Sequence, residues 1–102
     1  MDEMYLEILR IVEETTGIDS KEMLSSNCEE NVDARHILVA ILSERGYSDN
    51  KISRLVGLTR PCVCMIRNNF KYRRKRYFVN IHYKAVYEKV FGCKEFVRNV
   101  VS

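Results

Sequence analysis

The sequence contains little of what an all-β fold or a membrane protein requires. Four glycines and one proline among 102 residues leave few residues for β-turns. No apolar run approaches the ~20 residues that a membrane helix needs. The opening residues are acidic, and Glu7 and Arg10 interrupt the apolar positions that follow, so we expect no secretory signal peptide. These absences predict a cytoplasmic protein without a membrane partner.

The cysteine and histidine spacings match neither a metal site nor a catalytic centre. Cysteines at positions 28, 62, 64 and 93 include a C-x-C pair but no C-x-x-C pair, and His36 and His82 lie at no ligand spacing. No thiol has a recognisable base partner. A G-x-x-x-x-G-K-[ST] phosphate loop is absent. We therefore predict reduced thiols, no enzymatic activity, no cofactor, no metal and no bound nucleotide.

The charged side chains are distributed unevenly along a chain that has the length of one domain, residues 1–102. Residues 1–33 hold ten acidic and two basic side chains, a net charge of −8. Residues 34–102 hold four acidic and fifteen basic side chains, a net charge of +11. This asymmetry favours a face that meets a polyanion. The alternative is that the acidic part neutralises the basic part within one fold.

Apolar residues at spacings of three and four predict an all-α fold, a compact bundle of about six helices. The first helix is expected from near Asp2 to Thr16. The second and third helices have capping candidates, and the third runs to about Arg45. These candidates are Ser20 for the second helix and Asn31 or Asp33 for the third.

The last helix is predicted to begin near Tyr77 and to end at Gly92. Residues 93–102 are expected to fray or to add another turn. The buried side of this helix is expected to consist of Phe78, Ile81, Ala85 and Val90.

The stretch from Ser48 to Phe70, SDNKISRLVGLTRPCVCMIRNNF, predicts a helix-turn-helix. Gly57 stands where the first helix should end, and Thr59 can cap the second, with Pro61 in its first turn. Such a motif places its second helix in the major groove of DNA. An ordinary helical corner within an α-helical core is the alternative. The inward-facing residues are expected to be Ile52, Leu55, Val56, Val63, Ile66 and Phe70.

The stretch VDARHILVAILSERGYSDNKISRLVGLTRPCVCMIRNNF resembles the C-terminal DNA-binding domain of the bacterial replication initiator DnaA. The similarity extends roughly from Tyr5 to Val90. Its further marks are an "I…dLLS"-like segment at Ile18 to Ser25, an "AR-x-I" pattern, and an "IG" before the turn. The last two correspond to Ala34, Arg35 and Ile37, and to Leu55, Val56 and Gly57. The resemblance implies a Trp-repressor-like helix-turn-helix that binds double-stranded DNA sequence-specifically, in replication or transcriptional regulation.

Two departures separate this chain from that family. The ATPase domain of the initiator is absent. The family's recognition helix opens with an Asp-His-Thr-Thr run, and none of these residue types is kept at the matching positions here. The target sequence of the initiator therefore does not carry over. The matching positions are Thr59, Arg60, Pro61 and Cys62.

Two arginines are the leading candidates for reading DNA. The resemblance matches Arg35 to an arginine that enters the minor groove, whose negative potential attracts a guanidinium. The alternative is a solvated Arg35, or one that is ion-paired near Asp33. Arg60 stands where the family has a base-reading histidine, and its forked donors suit a guanine edge. A phosphate contact or plain exposure is the alternative for Arg60.

Further candidates follow from position and side-chain type. Thr59 is expected to cap the helix first and to contact DNA second. Cys62 and Met65 can touch thymine methyl groups, with partial burial as the alternative. Asn68 and Asn69 can bond to phosphates or base edges, with solvent exposure as the alternative.

Phosphate contacts are expected at two places. Ser48 and Lys51 open the first helix of the motif, where backbone N–H groups favour an anion. The basic run after the second helix is expected to follow a phosphate strand, with a solvated surface as the alternative. Its members are Lys71, Arg73, Arg74, Lys75 and Arg76.

Two other functions stay open at this point. The altered start of the recognition helix allows a protein-interaction module that keeps the fold without DNA affinity. Tyr72 and Tyr77 beside the basic run allow a single-strand or RNA binder. The oligomeric state is not predicted.

Overall fold

The chain forms six α-helices in a computed structural model, which describes residues 2–92. No strand occurs within this range, so the predicted all-α fold is confirmed. Across the same range, no helix combines the length and the apolar character that crossing a membrane requires. The predictions for residues 93–102 lie outside the described residues. The helices are α1 (Glu3–Thr16), α2 (Ser20–Ser25), α3 (Glu29–Glu44), α4 (Asp49–Val56), α5 (Arg60–Arg73) and α6 (Tyr77–Phe91).

Helix α3 is the centre of the fold and contacts each of the other five helices. Its residues from Ile37 to Leu42 are all buried, and Ala34 is buried one turn earlier. A helix that is apolar nearly all round needs neighbours on every side, and the other helices supply them. Each large aliphatic side chain fully buried here contributes about 2 kcal/mol of hydrophobic stabilisation.

Two predicted helix starts are wrong. Helix α2 begins after Asp19, whose carboxylate accepts a hydrogen bond from the Lys21 N–H at 3.1 Å. Helix α3 begins at Glu29 after Cys28, whose side chain makes no capping bond. Acidic side chains in the first turn of α3 favour this earlier start by interacting with the positive end of the helix dipole. The residues predicted as caps lie inside the helices: Ser20, Asn31 and Asp33.

Helices α4 and α5 and the turn between them follow the predicted pattern. Gly57 ends α4 with a φ of 77°, a left-handed conformation that favours glycine. The Thr59 hydroxyl accepts a hydrogen bond from the Cys62 N–H at 3.3 Å and caps α5. The Ser53 hydroxyl donates to the Leu58 carbonyl and ties the turn to α4. The two helices pack against each other, and their buried residues are Ile52 and Val56 on α4 and Val63, Ile66 and Phe70 on α5.

The predicted buried side of α6 is wrong for two of its four residues. Phe78 is 71% exposed and Ile81 is 41% exposed, whereas Ala85 and Val90 are partly buried. The rotation of α6 is set instead by Tyr83, whose ring lies 5.0 Å from that of Phe70. Its hydroxyl donates to Glu44 on α3. The residues of α6 that enter the core are Val79, Tyr83 and Val86.

Candidate nucleic-acid interface

One side of α5 is open to solvent along the whole helix. Its opposite side is the core face, with Val63, Ile66 and Phe70 buried. Met65 is 56% exposed, and Tyr72 is 58% exposed. Exposed residues at spacings of three and four therefore form one continuous surface, which we call the outer face of α5. It consists of Pro61, Met65, Asn68, Asn69 and Tyr72, with Arg60 and Lys71 at its edge.

An ion pair holds α5 against α4. The Arg67 guanidinium donates to both carboxylate oxygens of Asp49, from Nε and from Nη2, at 3.0 Å each. The hydrogen bond from Arg67 lowers the pKa of Asp49, and the charge of Arg60 lowers it further. Asp49 therefore stays ionised and is already paired. The Asp49 carboxylate, whose pKa the charge of Arg60 also lowers, is thus neutralised by Arg67.

The predicted basic run divides into two groups. Arg73 donates to Asp33 of α3, and Arg76 lies 2.8 Å from Glu29 and 3.2 Å from Asp33. Arg74 donates to Asn80 at 2.9 Å and lies 4.5 Å from the centre of the Tyr83 ring. These three arginines hold α5 and the following turn against α3 and α6.

Lys71 and Lys75 form the second group of the run. Their amines lie 5.2 and 5.6 Å from the centre of the Tyr72 ring, and both residues are exposed. Within residues 2–92, no carboxylate oxygen lies within 4.0 Å of either amine or of the Arg60 guanidinium. These three cations are the members of the predicted set best placed to meet phosphate or bases.

Arg35 is held within the fold. Its Nε donates to the Met23 carbonyl at 2.9 Å, and its Nη2 donates to the Ser26 carbonyl at 2.7 Å. These carbonyls belong to the end of α2, where backbone acceptors lack helical partners. The side chain is half-buried and acts as a cap of α2. It does not pair with Asp33, which binds Arg73 and Arg76 instead.

Arg35 and Arg60 belong to opposite ends of the paired helices α3 and α5. Asp33, two residues before Arg35, contacts Arg73 at the end of α5. Arg60 and Arg73 are the first and last residues of α5. Because a helix rises about 1.5 Å per residue, Arg60 lies ~20 Å from Arg73 along the helix axis. Any duplex that meets both arginines must therefore run along the length of α5.

The start of α4 is also occupied by protein groups. The Ser48 hydroxyl caps the helix by accepting from the Lys51 N–H at 3.2 Å. The Lys51 amine lies 3.3 Å from Asp2 and 5.1 Å from the centre of the Tyr47 ring. The Tyr47 hydroxyl donates to the same carboxylate at 3.0 Å. Tyr47 and Lys51 thus join the start of α4 to the beginning of α1, whereas Ser48 only caps α4. A phosphate there would compete with Asp2 for Lys51.

A groove of about 480 Å³ runs between the first half of α3 and the outer face of α5. His36 lines it and is half-buried. Burial lowers the pKa of His36 to about 4, and the charges of Arg73 and Arg35 act in the same direction. The imidazole is therefore neutral at physiological pH. The other residues of the groove are Glu29, Met65, Asn69, Tyr72, Arg73 and Arg76.

The remaining candidates are partly engaged. The Cys62 side chain is half-buried against the core, as its alternative interpretation proposed. The Asn68 amide donates to the Cys64 sulfur at 3.4 Å, which orients it along α5. Cys28, Cys62 and Cys64 are free thiols. Among residues 2–92, no group of three His, Cys, Asp or Glu side chains is arranged to hold a metal ion.

Comparisons with protein-family models, curated proteins and solved structures give no match to this chain. The resemblance to the initiator domain therefore rests on the quoted residues alone. What the structure adds is the class: an all-α domain with a solvent-facing helix after a glycine turn.

Sequence reasoning did not identify three features of this surface. Arg67 and Asp49 lie 18 positions apart, so no helical spacing links them. His36 was considered only as a metal ligand and set aside for its spacing, and nothing in the sequence indicated that it lines a groove between α3 and α5. Phe78 was predicted to lie on the buried side of the last helix with Ile81, Ala85 and Val90, and it is exposed instead. The signal in the sequence for the ion pair of Arg67 with Asp49 was that opposite charges occur on two helices joined by a short turn.

Proposed function

We propose that this protein binds double-stranded DNA by placing α5 in the major groove. The observation that carries the proposal is the outer face of α5, which is exposed, free of carboxylates and flanked by Arg60 and Lys71. A helix with one buried and one exposed side, introduced by a capped turn, fits the width of the major groove.

The side chains of the outer face suit base edges. Arg60 is exposed at the start of α5, where a cation is unfavourable for the helix dipole, and its fork matches the two acceptors of guanine. Asn69 offers an amide of the kind that pairs with adenine, and Met65 offers an apolar contact for a thymine methyl group. Lys71 and Lys75 would contact phosphates beyond the end of the helix.

The charge of this part of the chain supports a polyanionic partner. Between Asp49 and Glu88 the sequence has ten basic and no acidic side chains. Asp49 is paired with Arg67, and Asp33 is paired with Arg73. Glu29 lines the groove beside the outer face of α5 and is paired with Arg76. The surface that DNA would approach therefore carries more basic than acidic side chains, and its neighbouring carboxylates are paired.

The roles proposed for Arg35, Ser48 and Lys51 become secondary. Arg35 already donates to two carbonyls, so we assign it first to positioning α2 against α3. Ser48 is a cap, and Lys51 is paired with Asp2. A minor-groove contact by Arg35 or a phosphate contact by Lys51 would require a rearrangement of these bonds. A role in replication or in transcriptional regulation remains an analogy from the resemblance.

The test is selection of binding sites from random duplex DNA, followed by affinity measurements on the selected site. Arg60→Ala should weaken specific binding by about 1–3 kcal/mol and relax the preference at one base step. Arg10→Ala is the matched control, because it removes the same charge from an exposed position on α1. Arg10→Ala should leave the selected sequence unchanged.

Two outcomes would contradict the proposal. Equal affinity for all duplexes before and after Arg60→Ala would indicate non-specific binding through charge alone. Absence of duplex binding at low salt would favour the other function open from the sequence, a protein-interaction module that keeps the fold.

A further inference from the structure

Three exposed aromatic side chains flank the short turn between α5 and α6. Tyr77 and Phe78 are each 71% exposed, and Tyr72 is 58% exposed. The rings of Tyr77 and Phe78 meet edge to face with 5.3 Å between their centres. Lys71 and Lys75 hold their amines over the Tyr72 ring. We call these five residues the aromatic corner.

The exposure of these rings follows from the packing of α6. Val79, Tyr83 and Val86 enter the core, and the bond from Arg74 to Asn80 holds the first turn of α6 in place. Phe78 precedes Val79 directly, so its side chain leaves the helix on another side. Neither Tyr77 nor Phe78 contributes to the buried core. Leaving large aromatic surface in water is unfavourable, and it is typical of binding sites.

The charge beside the corner indicates the kind of partner. Lys71 and Lys75 supply cations, and their amines lie over the Tyr72 ring. Glu29 and Asp33, the acidic side chains of α3 nearest to the turn, are paired with Arg76 and Arg73. A partner that carries both negative charge and flat aromatic groups matches this composition.

We propose that the aromatic corner binds unpaired bases of a single-stranded nucleic acid, with bases stacked on Tyr72, Tyr77 and Phe78. Lys71 and Lys75 contact the phosphates of the same strand. Aromatic rings interleaved with cations are what non-specific single-strand binders use, because every base has a face that stacks. This site shares Tyr72, Lys71 and Lys75 with the proposed duplex surface, but it does not use Arg60, Met65 or Asn69. It therefore does not depend on duplex binding.

The experiment measures fluorescence anisotropy of a dye-labelled oligothymidine of about twelve nucleotides with the full chain. A second probe of the same length carries abasic sugars, and it therefore has the same phosphates without bases. We expect the oligothymidine to bind about tenfold more tightly than the abasic strand, or better. The double variant Tyr77→Ala/Phe78→Ala should abolish this difference. Tyr77→Phe/Phe78→Tyr should restore it, since both rings are kept.

Matched controls separate this site from the duplex site and from loss of folding. Leu6→Ala removes another exposed apolar side chain, on α1, and should leave binding of the oligothymidine unchanged. Arg60→Ala should weaken binding of the duplex and leave the affinity for the oligothymidine within about twofold of the wild-type value. Thermal unfolding followed by circular dichroism shows that each variant is folded. An oligouridine of the same length distinguishes DNA from RNA as the source of the strand.

Three results would overturn the proposal. Equal affinities for the abasic strand and the oligothymidine would show that the protein binds phosphates through charge alone. Unchanged oligothymidine binding by the double alanine variant would exclude these rings. Self-association of the wild-type chain that the double variant loses, without any effect on oligothymidine binding, would assign the surface to a second copy of the chain.

Discussion

His36 makes the stability of this domain depend on pH. Its pKa is lowered from 6.5 to about 4 because the imidazole is half-buried in the groove between α3 and α5. The charges of Arg73 and Arg35 oppose its protonation as well. The unfolded chain therefore binds more protons than the folded chain between these two pKa values. The stability that depends on neutral His36 is fully present above pH ~6.5, and it is lost progressively as the pH falls toward ~4.

The magnitude follows from the two pKa values. At about pH 5 most His36 side chains are protonated in the unfolded chain, and few are protonated in the folded chain. The difference corresponds to a loss of about 2 kcal/mol relative to about pH 7. Since small domains are marginally stable, this is a substantial part of the free energy of unfolding.

Urea unfolding of the wild type and of His36→Gln at about pH 7 and about pH 5 tests this prediction. His36→Gln should lose about 2 kcal/mol less than the wild type between the two conditions. His82→Gln is the matched control, because it removes the other histidine and leaves His36 in place. Equal acid losses by the wild type and His36→Gln would refute the assignment to His36 and would leave the carboxylates as the cause.

Two further predictions concern hydrogen bonds that hold the helices together. Arg35→Ala and Arg35→Lys should each lower stability by about 1–3 kcal/mol, visible as a lower Tm by circular dichroism, since neither can donate the forked pair of bonds to the end of α2. Burial and the bond to Glu44 raise the pKa of Tyr83. Above pH ~10 the folded chain therefore binds more protons than the unfolded chain, and the free energy of unfolding should fall as the pH rises through this value. Tyr83→Phe should reduce this alkaline loss in urea unfolding.

Different results would contradict the Arg35 prediction and the Tyr83 prediction. If Arg35→Lys kept the wild-type Tm but weakened DNA binding, Arg35 would be a DNA contact and not a cap of α2. If Tyr83→Phe lost as much stability as the wild type in alkali, other groups such as Tyr5, whose pKa is raised by burial, would carry the effect.

The helices were predictable where local signals agreed. Around Gly57 the apolar spacing, the left-handed glycine, the Thr59 cap and Pro61 all favour the same boundaries, and α4 begins and ends at the predicted residues. In α6 the local signals conflict, because apolar residues occur on more than one side of the helix. Its rotation depends on Tyr83 contacting Phe70 and Glu44, which are distant in sequence.

The candidate site was less predictable than the fold because charged side chains bond to residues that are near in the fold but distant in sequence. Arg35 lies two positions from Asp33, yet it bonds to carbonyls at the end of α2, twelve and nine positions away. Arg67 was not singled out at all, although it joins α5 to α4. Exposure is easier to predict: Arg60 and Met65 lie outside because the core side of α5 is defined by Val63 and its neighbours.

Neutralisation within the fold explains the uneven charge for only part of the basic half. Arg73 and Arg76 neutralise acidic side chains at the start of α3, whereas Arg60, Lys71 and Lys75 do not pair with carboxylates of the described chain. If Lys71 and Lys75 alone contact phosphates, and Arg60 contacts a base, the logarithm of the duplex affinity should fall with the logarithm of salt concentration with a slope of about −2. The sequence offered six basic side chains as phosphate contacts, Lys51 and the five of the basic run, which would give a slope of about −5. Affinity measured over a salt series therefore distinguishes a fold that keeps its ion pairs on DNA from one that exchanges them for phosphate. A slope near −5 would show that Arg73 and Arg76 leave their carboxylates on α3 when the duplex binds.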